Sequence, residues 1–275
     1  MAEVKSKEAG AIVYREAAPA EDSGDDPLLC VHGFPESSRM WDTVLDAVAD
    51  SGRRAVALDL PGFGDSPADP PGTWERQVEA VERFRRELGL ERVALAVHDW
   101  GGLIGLRWAC DNPGATSALV VSNTGFFPDG KWHGMADMMR TPGQGEEFVA
   151  GFERDAFGDL MRSQSAGFDD EAIASYWKAF ETDAGRQGIL DLYRSGDFPK
   201  LEPYRGKLAA LAVPMLALWG GDDAFEPVAG AYRFQKEVPG TQVVVVDGAG
   251  HFVYADEPER CAREIAAFLG SADSA

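Results

Sequence analysis

No stretch of the 275-residue chain holds 18 consecutive apolar residues, so a membrane-spanning helix is not expected. Met1 to Gly10 is polar and charged. It lacks the apolar core of a secretory signal, and the expected location is the cytoplasm. Positive charge is in deficit: 26 Lys and Arg stand against 46 Asp and Glu, a formal net charge of −20. Phosphate backbones and anionic bilayers need a basic surface, so neither a nucleic acid nor a membrane is an expected partner. Cysteine is scarce. Cys30, Cys110 and Cys261 are odd in number and far apart, and read as reduced buried thiols rather than a disulfide framework. No Cys-Xaa-Xaa-Cys pair or Cys/His cluster marks a metal site. Gly62-Phe63-Gly64 lacks the rest of a dinucleotide-binding fingerprint, so no cofactor is expected.

What is present is the patterning of a layered α/β domain. The chain is 45% hydrophobic and long enough for a sizeable core. Short, continuous apolar runs at 11–15, 28–31, 55–59, 93–97 and 118–122 read as strands covered on both faces. Between them, 40–50 and 74–88 carry apolar residues at helical spacing. The same alternation returns late in the chain, with strands at 213–219 and 242–246 and helices at 228–238 and 257–269. This is the pattern of a mostly parallel sheet flanked by helices. The intervening 126–208 has no convincing buried strand and holds helical stretches near 145–157, 170–180 and 186–194. We read it as a helical cap inserted into a core formed by 1–125 and 209–275. The last residues, 271–275, are expected to fray.

Three turns, each directly after a predicted parallel strand, carry chemistry. Val97-His98-Asp99-Trp100-Gly101-Gly102 joins a strand to a helix over small residues, the geometry of a nucleophile elbow with a carboxylate at its tip. A carboxylate can displace a leaving group from carbon and form an ester. An aspartate there could also simply cap the helix. Gly220-Gly221-Asp222-Asp223 and Gly250-His251-Phe252 supply an acid and a base. Parallel sheets gather their sites at the C-terminal ends of strands, so Asp99, Asp223 and His251 are expected to face one crevice.

The elbow His98-Asp99-Trp100-Gly101-Gly102, the loop His32-Gly33-Phe34-Pro35 and the late Gly250-His251-Phe252 resemble the aspartate-nucleophile branch of the α/β-hydrolase fold. That branch includes epoxide hydrolases and haloalkane dehalogenases. The resemblance covers about 11–125 and 210–270 and is much weaker in the cap. It implies that Asp99 attacks an electrophilic carbon to give an alkyl-enzyme ester, and that His251 activates the water that hydrolyses it. Asp223 would orient His251. It is preferred to Asp222 because the family acid falls three residues after the glycine of a Gly-x-x-Asp turn. The oxyanion would rest on the backbone N–H groups of Phe34 and Trp100. The acid position that some dehalogenases use after the preceding strand holds Asn123, which cannot ionise.

The two reactions differ only at the leaving group. An opening epoxide gives an alkoxide that needs a proton donor, and a halide needs N–H donors in a dry pocket. Tyr193, in Leu192-Tyr193-Arg194, looks like the lid Tyr-Arg of epoxide hydrolases, and Phe34 stands where many dehalogenases have an asparagine. The second lid tyrosine of that group is missing. Its place early in the cap holds Phe148, Phe152 and Phe157, with Tyr176 as a possible substitute and Trp132 or His133 as possible helpers. On the dehalogenase side stand Trp100 and, as a second indole donor to halide, either Trp132 or Trp177 in the cap. The reading favoured is an epoxide hydrolase, with a haloalkane dehalogenase second and a non-catalytic binding module third. Its substrate would be small and mostly apolar, bound near Trp100, Phe34, Trp132, Trp177, Tyr176, Phe148, Phe152 and Phe252. The chain would act as a monomer or homodimer.

Overall fold

The computed structural model describes residues 3–272; Met1, Ala2 and 273–275, part of the two terminal stretches discussed above, lie outside them. Eight strands form one sheet: β1 (Lys5–Ala9), β2 (Ile12–Ala17), β3 (Leu28–Val31), β4 (Ala55–Leu58), β5 (Val93–His98), β6 (Thr116–Ser122), β7 (Met215–Gly220) and β8 (Gln242–Val246). Their order is β1-β2-β4-β3-β5-β6-β7-β8. β1 pairs antiparallel with β2, and β2 with β4. Every later pairing is parallel.

Alternation along the strands divides the core in two. Leu29, Val31, Val56, Leu58, Leu95 and Val97 face one layer. Leu28, Cys30, Ala55, Ala57, Ala94 and Ala96 face the other. All are fully buried or within 1% of it, and each large apolar side chain so buried contributes about 1.5–3 kcal/mol. The small residues of the second face allow α1 (Asp42–Asp50) to pack close. The larger ones of the first face receive α2 (Trp74–Glu87) and α3 (Trp100–Asp111).

Between β6 and β7 the described chain is helical: α4 (Gly134–Arg140), α5 (Gln144–Ala150), α6 (Arg154–Gln164), α7 (Asp170–Trp177), α8 (Asp183–Ser195) and the short α9 (Lys207–Ala210), with 3-10 turns among them. After β7 come α10 (Ala229–Glu237), α11 (Val253–Asp256) and α12 (Pro258–Ala272), the last packed against α1 on the small-residue face. The helical insert is tied to the sheet domain by polar contacts. Ser37 Oγ lies 2.8 Å from Ser175 Oγ, and the Trp74 N–H donates to Ser195 Oγ at 2.8 Å.

Four expectations need correction. β1 was not anticipated, because Lys5–Ala9 is a mostly exposed edge strand without an apolar run. The helix expected over 145–157 is two helices, α5 and α6, broken at Gly151, whose Cβ would crowd the Glu147 carbonyl. α4 was not foreseen. Ser271 and Ala272, expected to fray, continue α12. Among the described residues no helix is long and apolar enough to cross a membrane.

Candidate active site

Asp99 joins β5 to α3 with φ 49° and ψ −123°. A non-glycine residue in that region costs about 1–3 kcal/mol and persists only where its surroundings hold it. They do so here. The Asp99 carbonyl accepts from the Gly102 N–H at 2.9 Å and from Thr124 Oγ1 at 2.6 Å. A Cβ on Gly101 would collide with the carbonyls of Val31 and His32, and one on Gly33 with the Asp99 side chain. Glycine at both places lets α3 and the β3 loop close around the turn.

The Asp99 carboxylate has two distinct oxygens. Oδ1 accepts from the Phe34 backbone N–H at 2.7 Å. Oδ2 lies 3.6 Å from His251 Nε2, an ion-pair distance rather than a hydrogen bond. His251 Nδ1 contacts Asp223 Oδ2 at 2.8 Å. Asp223 is fully engaged, since its Oδ2 also accepts from Asn123 Nδ2 at 2.7 Å and its Oδ1 from the N–H groups of Phe225 and Glu226 at 2.7 and 3.0 Å. Asn123 was passed over in sequence because it cannot ionise. Its role is positional: with φ 45° it reaches across to Asp223 and accepts from the Gly220 N–H at 3.3 Å. The structure therefore brings together the three side chains expected to meet.

Charge follows from this geometry. Burial works against ionisation of Asp99, yet His251 and the Phe34 N–H outweigh it and hold the carboxyl below its usual range. Asp223 is likewise held low, burial being overcome by His251 and Asn123. Burial disfavours the His251 cation, but the two carboxylates lift it to about 10. Behind this trio lies a second buried pair. Burial, then the His251 charge, push His98 down to about 3, while burial raises Glu36 to about 8. The two stand 3.3 Å apart.

The loop carrying Phe34 is fixed from below. His32 Nε2 accepts from the Leu60 N–H at 3.0 Å, so its Nδ1 carries the proton and donates to the Gly33 carbonyl at 2.8 Å. On the insert side, Arg140 Nη1 donates to the Tyr193 carbonyl at 2.5 Å and also binds the Gly196 carbonyl. These bonds cap the last turn of α8 and hold Tyr193 in place. Its ring meets Phe34 and Trp100 at 5.3 and 5.0 Å. The phenol is raised well above its ordinary range by burial and the Asp99 charge, while the neighbouring Trp100 indole works the other way.

These groups line a cavity of about 120 Å³. Asp99, His251, Tyr193, Phe34, Phe148, Phe152 and Phe252 are on its wall, together with Phe157, Phe180 and Phe225. Trp100, Trp132, Trp177 and Tyr176, expected to touch substrate, are not wall residues. Trp100 lies behind Tyr193, with Trp132 stacked on it at 5.3 Å. Trp177 packs on Phe157 and Phe180, and Tyr176 on Phe168. Their aromatic character marks these rings for burial without telling cavity from packing. His133, Met135 and Met161 on the wall were not singled out as binding residues, for the same reason.

A mostly parallel sheet with an acid, a second acid and a histidine converging from three strand ends defines a hydrolase architecture. The chain belongs to the α/β-hydrolase fold family, which residues 26–258 match. Within it, relatives place the chain in the branch of epoxide hydrolases and haloalkane dehalogenases. It is 31% identical to a haloalkane dehalogenase of Mycobacterium marinum, over 92% of this chain and 86% of that protein. It is 28% identical to epoxide hydrolase 2 of Caenorhabditis elegans, over 90% of this chain and 73% of that protein. The crystal structure of the haloalkane dehalogenase DatA from Agrobacterium tumefaciens superimposes with a TM-score of 0.82 at 24% identity, covering 98% and 97% of the two chains.

Proposed function

We propose that this hydrolase opens epoxides to diols. The observation that carries the reading is Tyr193, a buried phenol lining the same cavity as Asp99, with the Trp100 ring 5.0 Å from its own. Asp99 Oδ2 attacks an epoxide carbon, the ring C–O bond breaks, and the alkoxide takes the Tyr193 proton. The indole of Trp100 stabilises the phenolate. Asp99 Oδ1, already bonded to the Phe34 N–H, becomes the oxyanion of the next step, with the Trp100 N–H as second donor. Each such donor is worth about 3 kcal/mol.

His251 changes task between the steps. While Asp99 is ionised, two carboxylates favour the imidazolium. Esterification removes the Asp99 charge and leaves Asp223 alone to support the cation, so the ring's proton affinity falls, its proton passes to solvent until Asp99 is freed again, and neutral His251 can meanwhile accept a proton from water. Hydroxide adds to the ester carbonyl, the diol oxygen leaves with the His251 proton, and the acid proton left on Asp99 restores the phenol. Water and epoxide are consumed and a diol is released.

Dehalogenation by the same ester is the second reading, favoured by relatives named for it. A departing halide would have the Tyr193 hydroxyl on the wall, but Trp100, Trp132 and Trp177 all lie off it. The test is to offer a terminal aryl epoxide and a bromoalkane of similar size, and to assay diol and bromide. Diol formation far faster than bromide release is expected, and His251→Gln should accumulate an ester on Asp99 seen by mass. Bromide without diol overturns the epoxide reading. Neither product, and no ester, leaves a binding module.

A further inference from the structure

Two polar side chains on the cavity wall have no part in the reaction above. Gln164 is exposed and its amide bonds Ser163 Oγ at 3.3 Å. His133 is different. It stands at the entry to α4, half-buried, with its ring on a wall made mostly of Phe and Met. Among the described residues no hydrogen bond to its ring nitrogens is present. Burial favours its neutral form, which offers one N–H donor and one nitrogen acceptor. A polar ring facing an apolar cavity without a protein partner is a recognition point for a ligand.

Its position limits what it can recognise. The rings of His133 and His251 both lean on Phe225, at 5.1 and 5.2 Å. Tyr193 is instead seated among Phe34, Trp100 and Trp132. The leaving oxygen goes to Tyr193, so His133 meets another part of the substrate, on the side of the cavity where Phe225 and His251 stand. We propose that His133 is a specificity residue that hydrogen-bonds an oxygen substituent, a hydroxyl or carbonyl, carried by the substrate beside its reacting carbon. The substrate class is thus an epoxide with an apolar body and one oxygen-bearing arm, an inference that rests on the epoxide reading.

Two epoxides differing only in a hydroxymethyl or an ethyl arm test it. The ratio of their kcat/KM values should fall about tenfold in His133→Phe, since the bond is lost and the hydroxyl is left unpaired. His133→Gln keeps a donor and should hold the ratio within about threefold of wild type. An unchanged ratio in His133→Phe overturns the proposal, and so does an equal fall in both variants, the mark of a packing role. The cyclopropane analogues of the two compounds cannot react, and their binding should show the same ratio and the same fall. If no epoxide is turned over but the cyclopropane pair behaves so, the epoxide reading fails and the recognition stands. If epoxides are turned over and the pair binds without discrimination, the recognition fails alone.

Discussion

The cavity has two walls built on different physics. On the sheet side Asp99, Asp223 and His251 come from three strand ends, and directional bonds fix them. Asp223 alone accepts from Asn123, Phe225 and Glu226 and binds His251. On the insert side the wall is Phe148, Phe152, Phe157, Phe180, Met135 and Met161, held by aromatic and apolar contacts. Hydrogen bonds specify an orientation, whereas apolar packing specifies only a volume. The sheet wall is therefore suited to hold chemistry constant, and the insert wall to vary what enters. Tyr193 is the exception on the insert side, because Arg140 fixes its carbonyl.

The largest effect belongs to the sheet wall. Asp99→Ala removes the oxygen proposed to attack, and no other carboxylate shares its elbow. Turnover of epoxide and bromoalkane alike should fall by at least about 10⁴-fold, measured as diol and bromide. Residual hydrolysis well above that level would mean that the cavity works by direct water attack, and the contrast between the walls would lose its basis.

The same contrast governs how much could be read in advance. Asp99, Asp223 and His251 were legible because each follows an apolar strand at a turn, and a parallel sheet sends such turns to one edge. Asn123 escaped because its amide signals no chemistry; only the φ of 45° and the reach to Asp223 give it a role. Within the insert, helix existence was legible at α7 and α8, but facing was not. Trp132 and Trp177 are as aromatic as Phe157 and Phe180, yet the former pair packs and the latter pair lines the cavity. β1 was hidden for the opposite reason: an edge strand needs only one paired neighbour, and Lys5–Ala9 buries little.

Tyr193→Phe crosses between the walls and should have an intermediate effect. Loss of a general acid costs about 10²–10⁴-fold, so epoxide turnover should drop at least about 100-fold, while bromide release from a bromoalkane changes less than about fivefold. Equal losses on the two substrates would make Tyr193 a packing residue like its neighbours. Unchanged epoxide kinetics would move the proton donor elsewhere.

Trp132→Phe is the smallest effect and the sharpest probe of the leaving group. The Trp132 indole nitrogen is buried without a hydrogen-bond partner among the described residues, an arrangement that costs about 1–3 kcal/mol. Its ring stacks on Trp100 and lies 4.5 Å from Phe198, with the Arg140 guanidinium 5.0 Å above it. Phenylalanine keeps an aromatic face for all three neighbours and removes the orphaned N–H, while giving up part of the buried area. The two changes oppose each other, so stability should move by no more than about 1 kcal/mol, read from the urea midpoint. Diol formation should stay within about threefold of wild type, since Trp132 stands one ring behind the cavity wall. If that N–H turned toward a departing halide in the working enzyme, bromide release would fall more than about tenfold in the variant. The insert would then supply an indole N–H to the leaving group, and the halide would replace the alkoxide as the leaving group the site is built to hold.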